Sequence, residues 1–86
     1  LASVFTYAIP DGCYDGRYKC GVYISGDVIH VTNKNGEVIA RWTIVREDNE
    51  GNLTVKSEYG ATQSAKWWRE DGQVYLYFNY QNWTRQ

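Results

Sequence analysis

Short runs of alternating apolar and polar residues, separated by turns rich in glycine, asparagine and aspartate, fill almost the whole chain. A period of two marks a half-buried β-strand, and no stretch carries the 3.6-residue spacing of a substantial helix. The first strand is predicted over residues 3–9. Pro10-Asp11-Gly12 ends it, because proline restricts Ile9 to extended geometry and lacks an amide donor. Tyr14-Asp15-Gly16 reads as a second turn. Residues 17–25 then alternate, with Tyr18, Cys20, Val22 and Ile24 on one face and Arg17, Lys19, Tyr23 and Ser25 on the other. Ser25-Gly26-Asp27 leads into residues 28–33, and Lys34-Asn35-Gly36 is the strongest hairpin signal, since Asn-Gly tolerates the positive φ angles of a tight turn.

Residues 37–46 follow, with Val38, Ala40, Trp42 and Ile44 inward and Trp42 the best single core candidate. The polar loop 48–52 precedes a fifth strand over 53–59, with Leu53 and Val55 inward. Residues 60–64 read as a connection. Ala65-Lys66-Trp67-Trp68-Arg69 reads as an additional strand, with a helical turn as the alternative. Asp71-Gly72 turns into residues 73–80, where Val74, Leu76, Phe78 and Tyr80 alternate with Tyr75, Tyr77 and Asn79. Strands joined by such short turns pair antiparallel. The pattern predicts one all-β domain over residues 1–86, a six- or seven-stranded antiparallel β-sandwich or partly open barrel.

A chain of 86 residues is near the lower limit for an independent core, and fourteen Trp, Tyr and Phe residues offset this by supplying most of the buried area. Nine basic against ten acidic residues leave a net charge of −1, which gives no long-range attraction for nucleic acid or an anionic membrane. No run approaches the roughly 20 apolar residues that span a bilayer, and no charged start followed by an apolar stretch resembles a signal peptide, so the chain reads as a mature product or an excised domain. Cys13 and Cys20 flank a polar turn and are expected to bridge, the alternative being two buried thiols. A bridge in so small a domain points to export. Asn52-Leu53-Thr54 and Asn82-Trp83-Thr84 would accept glycans in a secreting eukaryote.

Catalytic constellations are mostly missing, with paired carboxylates such as Asp15 and Glu58 left open but selected by nothing. His30 is the sole histidine, and no serine or cysteine has a nucleophile-elbow or thiol-protease context. One histidine and two paired cysteines make no four-ligand metal set, and the acidic stretch from Glu47 to Glu50 lacks calcium-loop spacing and reads as a solvated turn. No cofactor is called for, and the chain is expected to be non-enzymatic.

The surplus aromatics are more informative. Tyr23, Tyr75 and Tyr77 fall on faces opposite the expected core, adjacent Trp67 and Trp68 must point to opposite sides of a strand, and Trp83 lies beyond the last one. Exposed aromatics anchor protein partners. They also offer flat platforms for sugar rings, with Asn79, Gln81 and Asn82 as neighbouring hydrogen-bonding groups. Arg17, Lys19, Lys66 and Arg69 would form a basic rim if strand pairing clusters them. Residues 65–69 and 17–25 are the expected sheet edges, available to a partner strand or to a homodimer.

The first extended strand, the turn Cys13-Tyr14-Asp15-Gly16, the long strand 17–25 and a total of about six strands resemble the MAX effectors of plant-pathogenic fungi. That resemblance implies a secreted, six-stranded β-sandwich acting as a virulence effector on a host protein, outside or inside the host cell. The seven-residue spacing of Cys13 and Cys20 departs from the longer-range bridge of that family. The hairpin from Tyr23-Ile24-Ser25-Gly26-Asp27 to Gly36-Glu37-Val38-Ile39 is similar to those of lipocalin-like bacterial domains. Two other roles fit the same residues: a carbohydrate-binding module using Trp67 or Trp68, Tyr75, Tyr77 and Trp83, and a hydrolase inhibitor presenting the Cys13 to Cys20 loop.

Overall fold

A computed structural model of the chain describes residues 7–86. Eight strands follow one another: β1 (Gly12–Asp15), β2 (Val22–Ser25), β3 (Val28–Thr32), β4 (Val38–Glu47), β5 (Asn52–Ser57), β6 (Thr62–Glu70), β7 (Gln73–Phe78) and β8 (Gln81–Arg85). Each pairs antiparallel with the next. β1 also pairs with β8, through Tyr14 opposite Arg85 and Asp15 opposite Thr84. The sheet is therefore a closed up-and-down barrel rather than a six- or seven-stranded sandwich or open barrel. Eight strands give an interior just wide enough for side chains to fill. Register shifts between Val31 and Thr32 and between Ile44 and Arg46 bend β4 against both neighbours, adding the twist that closure requires.

Alternation sorts the side chains as expected over most of the sheet. Val22, Ile24, Ile29, Ile44, Leu53, Val55, Ala65, Val74, Leu76 and Phe78 are buried. Trp42 points inward but is only half-buried, its ring edge-on to Phe78 at 6.1 Å, so it borders the core rather than forming its centre. The interior instead holds two aromatics that the pattern places elsewhere, Tyr14 and Trp83. The Lys34-Asn35-Gly36 and Asp71-Gly72 turns stand where predicted.

Several expectations fail over the described residues: β6 already begins at Thr62, within the stretch 60–64 read as a connection, because 62–66 pair with β5. The expected strand 3–9 lies partly outside the described residues, and 7–9 are irregular. Tyr14 sits inside β1 rather than in a turn, because its fully buried ring requires an extended backbone whose partners are β2 and β8. Residues 17–21 form a loop rather than a strand. Asp15 Oδ1 accepts the Cys20 amide at 2.7 Å and the Thr32 hydroxyl donates to the Cys20 carbonyl at 2.7 Å, while the Gly21 carbonyl accepts the Thr32 amide at 2.9 Å, so side chains and isolated main-chain bonds rather than a continuous ladder hold this backbone. Finally, the chain reverses at Asn79-Tyr80, where both residues have positive φ, which turns Tyr80 out to solvent and Trp83 in.

The Cys13–Cys20 disulfide is present, with Cα atoms 4.7 Å apart. It ties β1 to the loop 16–21, which lies over Trp83. A side chain at Gly21 would collide with that indole. Trp83 Nε1 donates to the Phe78 carbonyl at 3.0 Å, so the buried ring leaves no donor unpaired. Closure also removes both expected edges, since β2 pairs with β1 and β3, and β6 with β5 and β7.

Two stability outcomes follow. Replacing both cysteines with serine should cost about 2.5 kcal/mol, the loop-closure value for so short a ring, read from denaturant midpoints. Burial raises the Tyr14 pKa to about 12, partly opposed by the positive charges of Arg85 and Arg69 and reinforced by Asp11. The unfolded chain releases this proton near pH 10 and the barrel holds it to about pH 12. Stability is therefore full below pH 10 and falls between pH 10 and 12, by up to about 2.7 kcal/mol. Tyr14→Phe should flatten that decline in denaturation curves recorded across the interval.

Candidate binding surface

β6 carries adjacent tryptophans, and strand geometry sends them to opposite sides. Trp67 points to the barrel end formed by the β4–β5 loop and the β6–β7 turn, and Trp68 points outward. The outward ring stacks on its cross-strand partner Tyr75, with centroids 5.6 Å apart. Next to this pair, register aligns Asn52 with Lys66, Lys66 with Tyr77 and Tyr77 with Asn82, a row that crosses four strands. Tyr77 is 42% exposed. Trp68, Tyr75, Tyr77 and Lys66 thus come together on one outer face, framed by two asparagines and by Thr84, which lies opposite Tyr75.

That face runs toward a rim where two further aromatics project. Tyr80, in the β7–β8 turn, is 95% exposed, and Tyr59, in the β5–β6 turn, is 91% exposed. Gln63 Nε2 donates to Asn79 Oδ1 at 2.9 Å, joining the start of β6 to the β7–β8 turn. Tyr80 has φ 61 and Asn79 φ 55. Such a turn favours glycine at its second position, and a bulky residue there is held against its preference. Neither burial nor backbone propensity explains a tyrosine at this site. The alternation of residues 73–80 misassigns Tyr80 to the core because the reversal begins one residue earlier; Asn79 was the only local cue.

The remaining predicted residues separate. Trp83 is core and belongs to no surface. Tyr23 lies on the outer face of β2, stacked in parallel on His30 at 4.1 Å, with β1 and β8 between it and β7. His30 is accordingly half-buried. Arg17 and Lys19 are exposed in the loop 16–21, at the same end as Tyr80. Arg69 stands over the Trp67 ring, its guanidinium 5.7 Å from the centroid, so no single basic rim forms with Lys66.

At the opposite end, Asn49, Glu50, Gly51, Trp67, Trp68 and Arg69 line a shallow groove of about 290 Å³. The loop that forms it is fixed internally. Asp48 Oδ1 accepts the Glu50 and Asn52 amides and Oδ2 accepts the Asn52 side chain, each at 2.9 Å. These bonds, the Asn52 side chain first, hold the Asp48 carboxyl below its ordinary pKa of 3.8, so the loop is braced above that range and loosens as pH falls through it. Glu47 is not part of a solvated turn. It turns inward and accepts Trp67 Nε1 at 2.9 Å together with the Ala8 and Ile9 amides. Among the described residues no three His, Cys, Asp or Glu side chains group as metal ligands.

Gly51 is the backbone hinge of the groove, with φ 84 and its carbonyl accepting the Trp67 amide at 3.0 Å. A Cβ there would run into the Trp67 carbonyl. Gly51→Ala should therefore destabilise the barrel by about 3 kcal/mol, combining a left-handed penalty with overpacking against backbone. Thermal unfolding measures it. No family model, curated protein or solved structure matches this chain.

Proposed function

We propose that this chain is a secreted, non-enzymatic binding protein that engages a protein partner through the outer face of β6–β8 and the adjoining tyrosine rim. The observation that carries the reading is Tyr80, held at positive φ with its ring in solvent. Strain kept at an exposed position points to recognition. Trp68, Tyr75, Tyr77 and Tyr59 supply further rigid, amphipathic anchors of the kind that dominate protein interfaces. The outer wall of a closed barrel is convex, and small-ligand sites are concave, so a protein that can wrap the wall fits better than a small molecule.

The Cys13–Cys20 bridge supports an oxidising compartment, and with it secretion. A virulence effector acting on a host protein, the role the family resemblance implies, is the form this reading takes when the partner belongs to a host. A hydrolase held by the loop 16–21, with exposed Arg17 and Lys19 beside Tyr80, is another. The route by strand addition or edge-to-edge homodimerisation through residues 17–25 or 65–69 is set aside, because neighbouring strands occupy both sides of β2 and β6. A polysaccharide is the second reading, favoured by the amides of Asn52 and Asn82 at either end of the Lys66 and Tyr77 row.

Tyr80→Gly separates stability from recognition. Glycine relieves the turn by about 0.5–1 kcal/mol and should raise Tm by roughly 4 °C, while capture of the protein partner falls at least tenfold. Tyr75→Ser with Tyr77→Ser should abolish capture and leave the fold intact by circular dichroism. Undiminished capture by both variants would overturn the reading. A saturable change in tryptophan emission with soluble oligosaccharides, lost in Trp68→Ala, would establish the second one instead.

A further inference from the structure

Residues 7–11 form no strand, yet barrel side chains hold their backbone at four successive positions. They cross the barrel end that holds Trp67. Glu47 presents both carboxylate oxygens to consecutive main-chain donors, Oε1 to the Ala8 amide at 2.6 Å and Oε2 to the Ile9 amide at 3.1 Å. The Tyr14 hydroxyl donates to the Pro10 carbonyl at 2.6 Å, and Arg85 Nε donates to the Asp11 carbonyl at 2.7 Å. Four successive residues are therefore read through their peptide groups by barrel side chains, and position 10, where proline has no amide, needs no acceptor. One side chain is buried: Ile9 is 3% exposed and packs into the core cluster.

Main-chain bonds for affinity and one apolar pocket for specificity are the terms on which extended peptides are recognised. The strand ladder closes without this segment, since β1 begins at Gly12 and its register pairs with β8 are made by Tyr14 and Asp15. We propose that this barrel end is a binding site for an extended peptide carrying an aliphatic residue followed by proline, and that residues 7–11 occupy it in cis. The site is separate from the aromatic face and does not depend on it. A partner protein with such a segment would displace the arm, seat its aliphatic side chain where Ile9 lies and give two amides to Glu47. Trp67 shares the Glu47 carboxylate and would be the neighbouring reporter of the exchange.

The tethered arm competes at an effective concentration in the millimolar range, so the unmodified protein should bind a free peptide weakly. The probe is acetyl-Tyr-Ala-Ile-Pro-Asp-amide, followed by anisotropy of a fluorescein-labelled form, against the full-length chain and its variants. Ile9→Asp cannot keep its charged side chain in the apolar seat and should empty it, binding the peptide at least tenfold more tightly than the unmodified chain. Ile9→Ala should fall between the two. Adding Glu47→Ala, or replacing the peptide isoleucine with aspartate, should remove the gain. In the unmodified chain, saturating peptide should speed hydrogen exchange at the Ala8 and Ile9 amides. A folded, disulfide-intact Ile9→Asp chain that binds no better than the unmodified protein would overturn the proposal, as would binding indifferent to Glu47. If Ile9→Asp fails to fold, Ile9→Ala and the exchange measurement decide on the same terms.

Discussion

Closure depends on the seam between the first and last strands, which is thin. β1 is four residues long and meets β8 through two register pairs, where β6 and β7 share five. What holds the seam is concentrated around it. Tyr14 and Trp83 fill the interior behind it, the Gln86 amide extends the ladder to the Cys13 carbonyl at 2.9 Å, and the Gln86 side chain reaches Asp15. Gln73 Nε2 donates to the Arg85 carbonyl at 2.6 Å from the other side of β8. The disulfide then fixes β1 to the loop that covers Trp83. A short strand with little ladder of its own is thus made an obligatory part of the sheet by large buried rings and a covalent tie. Without it the barrel would have two free edges and an exposed core.

The parts of this fold that could be read in the sequence are those set by periodicity and by turns with a stereochemical requirement. Val22 and Ile24, Leu53 and Val55, and Val74, Leu76 and Phe78 alternate with polar neighbours, and the Asn-Gly and Asp-Gly turns need backbone that few other residues accept. The parts that could not be read are those where tertiary packing overrides a local signal. Tyr14-Asp15-Gly16 carries turn residues, but Asp15 spends its carboxylate on the Cys20 amide at the end of a strand. Tyr80 continues an unbroken alternation and is nonetheless expelled, because Trp83 takes the interior position and a chain reversal must intervene. Pattern alone cannot rank two aromatics three residues apart that compete for one place.

The same competition explains how far the candidate surface was legible. Trp68, Tyr75 and Tyr77 are outward by parity, and parity is robust once a strand is correctly located. Whether they meet is a question of register, which no single strand discloses. Lys66 joins them because β6 pairs with β7 four residues before Glu70, and Arg69 does not, because it is one residue out of phase and lies over Trp67. Glu47 is a further case. In sequence it opens an acidic run that looks solvated, and the bulge between Ile44 and Arg46 alone turns it inward to meet the arm.

The net charge of −1 conceals a division along the barrel axis. The end crossed by residues 7–11 carries Asp11, Asp27, Glu47, Asp48, Glu50, Glu70 and Asp71, with Arg46, Arg69 and Arg85 as its basic residues. The opposite end carries Arg17, Lys19 and Lys34 against Asp15, Glu37 and Glu58, an even balance, beside the protruding tyrosines. The acidic field of the first end is screened over about 8 Å at physiological ionic strength, a length shorter than the barrel, so it does not extend to the balanced end. A segment that displaces the arm enters among carboxylates and is favoured by basic flanks. The end with Tyr59 and Tyr80 is balanced and offers no such preference. Charge placement therefore sets the two ends apart, one acidic and one balanced, and under the proposed exchange a basic flank would be drawn to the first before any side chain makes contact.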